Sequence, residues 1–152
     1  NLVAHLSDII CPADDAGPSA SFVGVPEVID EWVSAPYEGQ QKDRVLILNG
    51  LQWLDDEAQR RFGEDFMASS NTDQLAIIDD IAFEEKASEP ALEHAVLFFA
   101  KLRTLVFGGY FTSPEGMADI GYIGNTPIIG DYPGPTEEAM AHLNEIIANL
   151  PA

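Results

Sequence analysis

The sequence of 152 residues has few cysteines, few basic residues and no long hydrophobic run. Its single cysteine, Cys11, excludes a disulfide within the chain and a cysteine-based zinc site. Only seven lysines and arginines accompany 26 acidic residues, for a formal net charge of −19. Because nucleic acids and anionic membranes are bound through clustered cations, this balance argues against both as partners. The longest apolar run, from Ala95 to Ala100, is too short to span a bilayer.

The remaining composition is that of a packed globular protein. Hydrophobic residues make up 46% of the chain and charged residues 22%, which is too apolar for a disordered protein. The length suits one domain, and residues 1–152 are predicted to form it. The chain begins at Asn1 rather than methionine, so either a targeting segment has been removed or the chain has been trimmed.

Apolar residues recur at helical spacing almost everywhere, and no stretch alternates like a strand. A first helix ends at Pro12, a second lies between Pro26 and Pro36, and a long third helix ends at Gly63. The predicted core residues of the second and third helices are Val28, Ile29 and Trp32, then Ile47, Leu48, Leu51, Leu54, Ala58 and Phe62. Gly50 interrupts the third helix, so we expect a kink or a close neighbour there. Asn71 and Gln74 resemble a capping box that opens a fourth helix.

The segment from Pro90 to about Phe107 predicts a central helix. Its polar residues occupy one arc of about 100° when plotted at 100° per residue; they are Glu93, His94, Lys101 and Thr104. Arg103 lies about 80° outside this arc, on an apolar flank. Two interpretations remain open: a snorkelling side chain, or an ion pair buried within the fold or against a partner.

Residues 108–135 change character, since they are rich in glycine and proline and hold three of the four tyrosines. Ser113 and Pro114 predict one short helix there, and the rest is expected to be an ordered loop. A last helix begins at the N-cap Thr136, with a buried stripe of Met140, Leu143, Ile147 and Leu150. The predicted fold is all-α: a compact bundle of about five to seven helices with a long ordered glycine- and aromatic-rich loop before the last one.

No catalytic, cofactor-binding or metal-binding residues are predicted. The three histidines lie on separate helices, the acidic pairs lack the ligand spacing of an EF-hand, and no nucleotide-binding signature occurs. Cys11 has no neighbouring base, which favours a small buried hydrophobic side chain. The alternative is a disulfide with another subunit in an oxidising compartment.

Several segments, taken in order, are similar to one family. They are LSDIICPADD, VIDEWVSAPY, DRVLILNGLQWLDDEAQRRFGEDF, LVFGGYFTSPEGMADIGYIGNTP and DYPGP. Together they resemble the gluconate 2-dehydrogenase subunit 3 family over nearly the whole chain, with GGYFTSPEG and DIGYIGN the most specific parts. One departure is Cys11, which separates an isoleucine from the Pro-Ala-Asp-Asp that is expected to follow it directly.

The resemblance implies a non-catalytic small subunit with no cofactor of its own. Its partner would be a large flavin-dependent sugar or polyol dehydrogenase of the glucose-methanol-choline type, which carries FAD, often with a cytochrome as third component. Such small subunits typically carry a twin-arginine signal, so the resemblance also implies export and a periplasmic location. The alternatives are a stand-alone binding or scaffolding module of the same fold and, less favoured, a hydrolase that uses paired carboxylates.

A partner surface is expected in the aromatic segment. Tyrosine and phenylalanine give large contact areas at low entropic cost, and the glycines let the chain turn tightly. The expected contacts are Arg103, Tyr110, Phe111, Tyr122 and Tyr132, although the apolar Phe111 could equally cap the core of the bundle.

Overall fold

The computed structural model describes residues 1–83, 85–86, 89–124 and 129–149, and within these ranges it has seven helices and no strand. The helices are α1 (Leu2–Ile10), α2 (Val25–Ser34), α3 (Glu38–Phe62), α4 (Asn71–Ile81), α5 (Glu93–Phe111), α6 (Pro114–Asp119) and α7 (Glu137–Ala148). The chain divides into two units: Asn1–Tyr122, with α1 to α6, and Ile123–Ala152, with α7. The predicted all-α bundle is confirmed, whereas the grouping of all residues into one domain stays a prediction.

Helix α5 is the central element of the first unit, as its composition predicts. It packs against α1, α2, α3, α4 and α6. Seven of its side chains are buried: Ala95, Val96, Phe98, Phe99, Leu102, Val106 and Tyr110. The predicted polar residues Glu93, His94 and Thr104 are exposed. A helix that is apolar around most of its circumference is stable in water only when neighbouring helices cover it.

Gly50 brings α3 against α5. A Cβ atom built at this position would fall within the ring of Phe98, which is fully buried. The close neighbour predicted for this glycine is therefore confirmed. A residue with any side chain would force the two helices apart or move the phenylalanine ring.

Two predicted helix ends were wrong. Helix α5 continues four residues beyond Phe107. Gly109 allows Val25 of α2 to pack closely, since a Cβ atom at position 109 would lie 3.3 Å from the Val25 side chain. This packing outweighs the low helix propensity of glycine. The N-cap of α4 is Ser70 rather than Asn71. Its Oγ accepts a hydrogen bond from the Asp73 amide at 3.2 Å and donates one to the Asp73 carboxylate at 2.6 Å.

The predicted core stripes of α2 and α3 were only partly right. Ile29, Ile47, Leu54 and Ala58 are buried, but Val28, Trp32, Leu48 and Phe62 are at least one-third exposed. Helix α2 packs through Val25 and Ile29, which places Val28 and Trp32 on the neighbouring, solvent-facing row. The exposed Leu48 lines a groove formed by α1, α2 and α3.

Helix α7 is capped as predicted but not buried as predicted. Thr136 accepts a hydrogen bond from the Ala139 amide at 3.2 Å. Met140, Leu143 and Ile147 are exposed, and Leu150 lies outside the described residues. As the one helix in the described part of its unit, α7 has no second helix there to cover its apolar side. No helix in the described ranges is long and apolar enough to cross a bilayer.

Candidate partner interface

Tyr110 lies in the core near the end of α5. Only 4% of its surface is exposed, and its hydroxyl donates a hydrogen bond to the Pro18 carbonyl at 3.0 Å. Burial, reinforced by nearby carboxylates such as Asp119, raises the pKa of the Tyr110 phenol, so it stays a neutral donor. In the free chain this side chain fastens the α1–α2 loop to α5.

The same loop is held at two further points. The Asp8 carboxylate accepts hydrogen bonds from the amide and the hydroxyl of Ser21, at 2.8 and 2.7 Å. The Cys11 carbonyl accepts a hydrogen bond from the Ala20 amide at 3.0 Å. A loop anchored at its beginning, middle and end is fixed in shape before any partner arrives.

Phe111 is half-buried and packs against the core cluster. Its ring meets that of Tyr110 edge-on, with centroids 5.1 Å apart, and lies 6.0 Å from that of Phe107. Phe107 is 41% exposed, so the aromatic row on α5 reaches from the core to solvent.

The segment after α5 turns sharply and is locked in place. Ser113 is the N-cap of α6: its Oγ accepts from the Gly116 amide at 3.0 Å and donates to the Tyr110 carbonyl at 2.7 Å. A Cβ on Gly116 would collide with the backbone of Tyr110 and Phe111, so α6 can approach α5 this closely only with glycine at position 116. The short helix predicted from Ser113 and Pro114 is thus confirmed.

Tyr122 and Tyr132 are the exposed members of the predicted set. Tyr122, 56% exposed, ends the first unit, and its amide donates to the Met117 carbonyl at 2.8 Å. Tyr132 is 69% exposed and belongs to the second unit. Ile120 and Ile123, beside Tyr122, are also exposed. These side chains are placed where a partner could contact them, and their role as contacts stays a prediction.

Arg103 is half-buried, and its guanidinium donates a hydrogen bond to the Ala82 carbonyl at 3.1 Å. Ala82 is the C-cap of α4, where carbonyl groups lack partners within the helix and the helix dipole favours a cation. Arg103 therefore joins α5 to the end of α4.

Cys11 caps the C-terminal end of α1 and is half-buried with a free thiol. Partial burial, with a smaller contribution from Asp119, raises the pKa of this thiol above its ordinary value. The thiolate, which is the nucleophile in disulfide exchange, is correspondingly disfavoured. The side chain lies against the core, as a small hydrophobic residue would.

Sequence reasoning missed a polar link across the core. His5 Nε2 lies 2.7 Å from the Gln74 side-chain oxygen, and the buried Gln74 amide donates to the carbonyls of Phe66 and Ser69. The long sequence separation of His5 and Gln74 left no local signal for this contact. In the part of the chain that the structure describes, no three histidine, cysteine or acidic residues are grouped as metal ligands.

The sequence was compared with models of known families. The sequence matches the family model of gluconate 2-dehydrogenase subunit 3 over residues 1–134. The chain belongs to this family. No curated protein and no solved structure matched it. The gluconate 2-dehydrogenase subunit 3 match contains α1 to α6 and both exposed tyrosines, and it ends before α7. A protein of this family is a subunit of a dehydrogenase complex.

Proposed function

We propose that this chain is the non-catalytic small subunit of a flavin-dependent sugar or polyol dehydrogenase. It binds and stabilises the large subunit, which carries FAD, and accompanies that folded subunit into the periplasm, where a cytochrome subunit completes the complex. The observation that carries this proposal is the family match over residues 1–134.

Tyr122 of the first unit and Tyr132 of the second are each proposed to contact the large subunit. The segment that carries Tyr122 is ordered by the cap of α6 and by a backbone hydrogen bond to Met117, so binding does not have to pay for ordering it. We propose that Arg103, Tyr110 and Phe111 contribute by shaping the first unit. Arg103 joins α5 to the end of α4, Tyr110 joins α5 to the α1–α2 loop, and Phe111 packs against the core.

Co-purification tests the proposed assembly. The chain is co-expressed, with an affinity tag, with a candidate flavin-dependent large subunit, and the eluate is followed at the visible absorbance of flavin. We expect the large subunit to co-elute with its flavin, and the chain expressed alone to elute without colour. A large subunit that elutes elsewhere, fully active and stable without this chain, would contradict the proposal.

A further inference from the structure

A groove opens on the side of the first unit formed by α1, α2 and α3. It encloses about 540 Å³, and apolar side chains from all three helices line it: Val3, Ile29, Val33, Ile47, Leu48 and Leu51. Leu48 is 52% exposed at its edge. An apolar groove between helices is the kind of surface that takes the apolar face of a further helix.

One wall of the groove is acidic. Glu27, Asp30 and Glu31 line it from α2, and their spacing of three and four residues places them on one side of that helix. All three are exposed, and none forms an ion pair within the described part of the chain. No lysine or arginine lines the groove.

The chain has few cations of its own left to neutralise this wall. Five of the seven already pair with carboxylates elsewhere: Lys42, Arg60, Arg61, Lys86 and Lys101. Arg44 and Arg103 donate to backbone carbonyls. The exposed carboxylates of Glu27, Asp30 and Glu31 are therefore free of competing lysines and arginines and open to a cationic group of another molecule.

We propose that this groove binds a cationic amphipathic helix of another protein. Its apolar residues, spaced at i, i+3, i+4 and i+7, enter the groove beside Leu48, and its lysines or arginines face the acidic wall of α2. The apolar contacts supply affinity, and the carboxylates set orientation and speed association. The inference goes beyond the proposed function, since neither Tyr122 nor Tyr132 lines the groove and the binding does not depend on the partner's activity.

A synthetic peptide tests this site directly. The probe is a fluorescein-labelled helix of about 18 leucines and lysines at amphipathic spacing, and its anisotropy is measured at about 0.15 M salt, where distant charges are screened. We expect saturable binding to the folded chain. Absence of binding at a protein concentration of about 100 µM would overturn the proposal, because the dissociation constant would then be higher than that of a useful docking site.

Paired variants separate groove binding from general attraction to an acidic surface. Glu27→Gln/Asp30→Asn/Glu31→Gln and Glu64→Gln/Asp79→Asn/Glu145→Gln each remove three exposed carboxylates, but only the first set lines the groove. Leu48→Gln and Leu97→Gln each remove a leucine that is 52% exposed, and only Leu48 lines the groove. We expect each groove variant to weaken binding by about tenfold, which corresponds to about 1.4 kcal/mol, while its control stays within about twofold.

Two results would overturn the proposal. Equal losses in the groove variants and their controls would mean that the peptide responds only to net charge. The second result is a wild-type chain that sediments as a dimer, together with a monomeric Leu48→Gln variant and a dimeric Leu97→Gln variant. It would mean that the groove holds a second copy of this chain. Circular dichroism of each variant confirms that the helices are intact.

Discussion

At the residue scale, Gly50 sets how closely α3 and α5 approach. The space that a side chain would occupy there is filled by the ring of Phe98, and the two helices share the main core contact of the first unit. Elsewhere in a helix, alanine is preferred to glycine by about 1 kcal/mol. At position 50 the packing requirement opposes that preference and exceeds it.

We predict that Gly50→Ala lowers the free energy of unfolding by about 1–2 kcal/mol, because overpacking costs about 1–3 kcal/mol and the gain in helix propensity offsets only part of it. Gly108→Ala is the matched control: it lies inside α5, and no atom stands within 4 Å of its added Cβ. That variant should be stabilised by about 0.5–1 kcal/mol. Urea unfolding measures both, and equal stability of the two variants would refute the packing account.

Tyr122 and Tyr132 are the residues on which the proposed partner contact depends. We predict that replacing either with alanine weakens binding of the large subunit by about 2 kcal/mol with little change in melting temperature, as for an interface hot spot. Tyr37→Ala is the control, since Tyr37 is 67% exposed and Tyr132 69%. Affinity is measured by titration and melting by circular dichroism. If the Tyr122 and Tyr132 variants unfold, or bind as well as Tyr37→Ala, these tyrosines are not the partner contacts.

Cys11 is expected to react slowly. Since burial raises the pKa of its thiol, the thiolate fraction at a given pH is lower in the folded chain than in the unfolded chain, whose thiol has an ordinary pKa of about 8.5. Iodoacetamide labelling should thus be slower in the folded state, with its pH midpoint shifted upward.

We also expect no covalent heterodimer on a non-reducing gel. A heterodimer band that disappears in Cys11→Ser would establish the disulfide instead.

At the element scale, an ion-pair network fastens α3 to α4. Glu57 accepts hydrogen bonds from Arg60 at 2.7 Å and from Arg61 at 2.6 Å, and Arg61 also pairs with Asp80 of α4 at 2.7 Å. The hydrogen bond from Arg60, followed by that from Arg61, lowers the pKa of the Glu57 carboxyl, although burial opposes this. The ionised carboxylate is thus favoured in the folded state.

This network gives a stability that depends on pH. A carboxyl whose pKa is lower in the folded state contributes stability above its unfolded pKa of about 4.3, and that stability is lost as the pH falls through the folded value. Between pH 7 and pH 3, the free energy of unfolding should therefore fall less in Glu57→Gln than in the wild type. The difference should be only about 0.5–1 kcal/mol, because the charged groups are partly solvated. Urea unfolding at both pH values measures the difference. Identical acid sensitivity would show that the network contributes nothing.

Helix positions and the central role of α5 could be predicted from apolar spacing, but several boundaries and faces could not. The extension of α5 through Gly109 depends on Val25, which is distant in sequence and packs against it. The exposure of Leu48 depends on where α2 and α1 lie, since the spacing of α3 alone places it beside Ile47. Local periodicity reports which residues share a face, whereas tertiary packing decides how much of that face is covered.

At the scale of the whole molecule, the chain combines a net charge of −19 with one cluster of buried apolar residues in the described part of the chain. The glycine- and aromatic-rich segment made Tyr122 and Tyr132 candidate contacts; both are exposed, and their contact with a partner stays a prediction. The sequence did not reveal that Tyr110 is a core residue, because its hydroxyl bonds to Pro18, 92 positions away. The groove depends in the same way on three helices that meet only in the folded chain.

The central claim is that the chain serves a flavoprotein without doing its chemistry. The most direct measurement is the rate at which an artificial electron acceptor is reduced in the presence of a panel of sugars and polyols. It is made with each purified subunit and with the reconstituted complex at matched concentrations. We predict that activity and bound flavin are found with the large subunit, and that adding this chain raises the stability and the active yield of the large subunit. Bound flavin or substrate-dependent turnover in this chain alone would contradict the account.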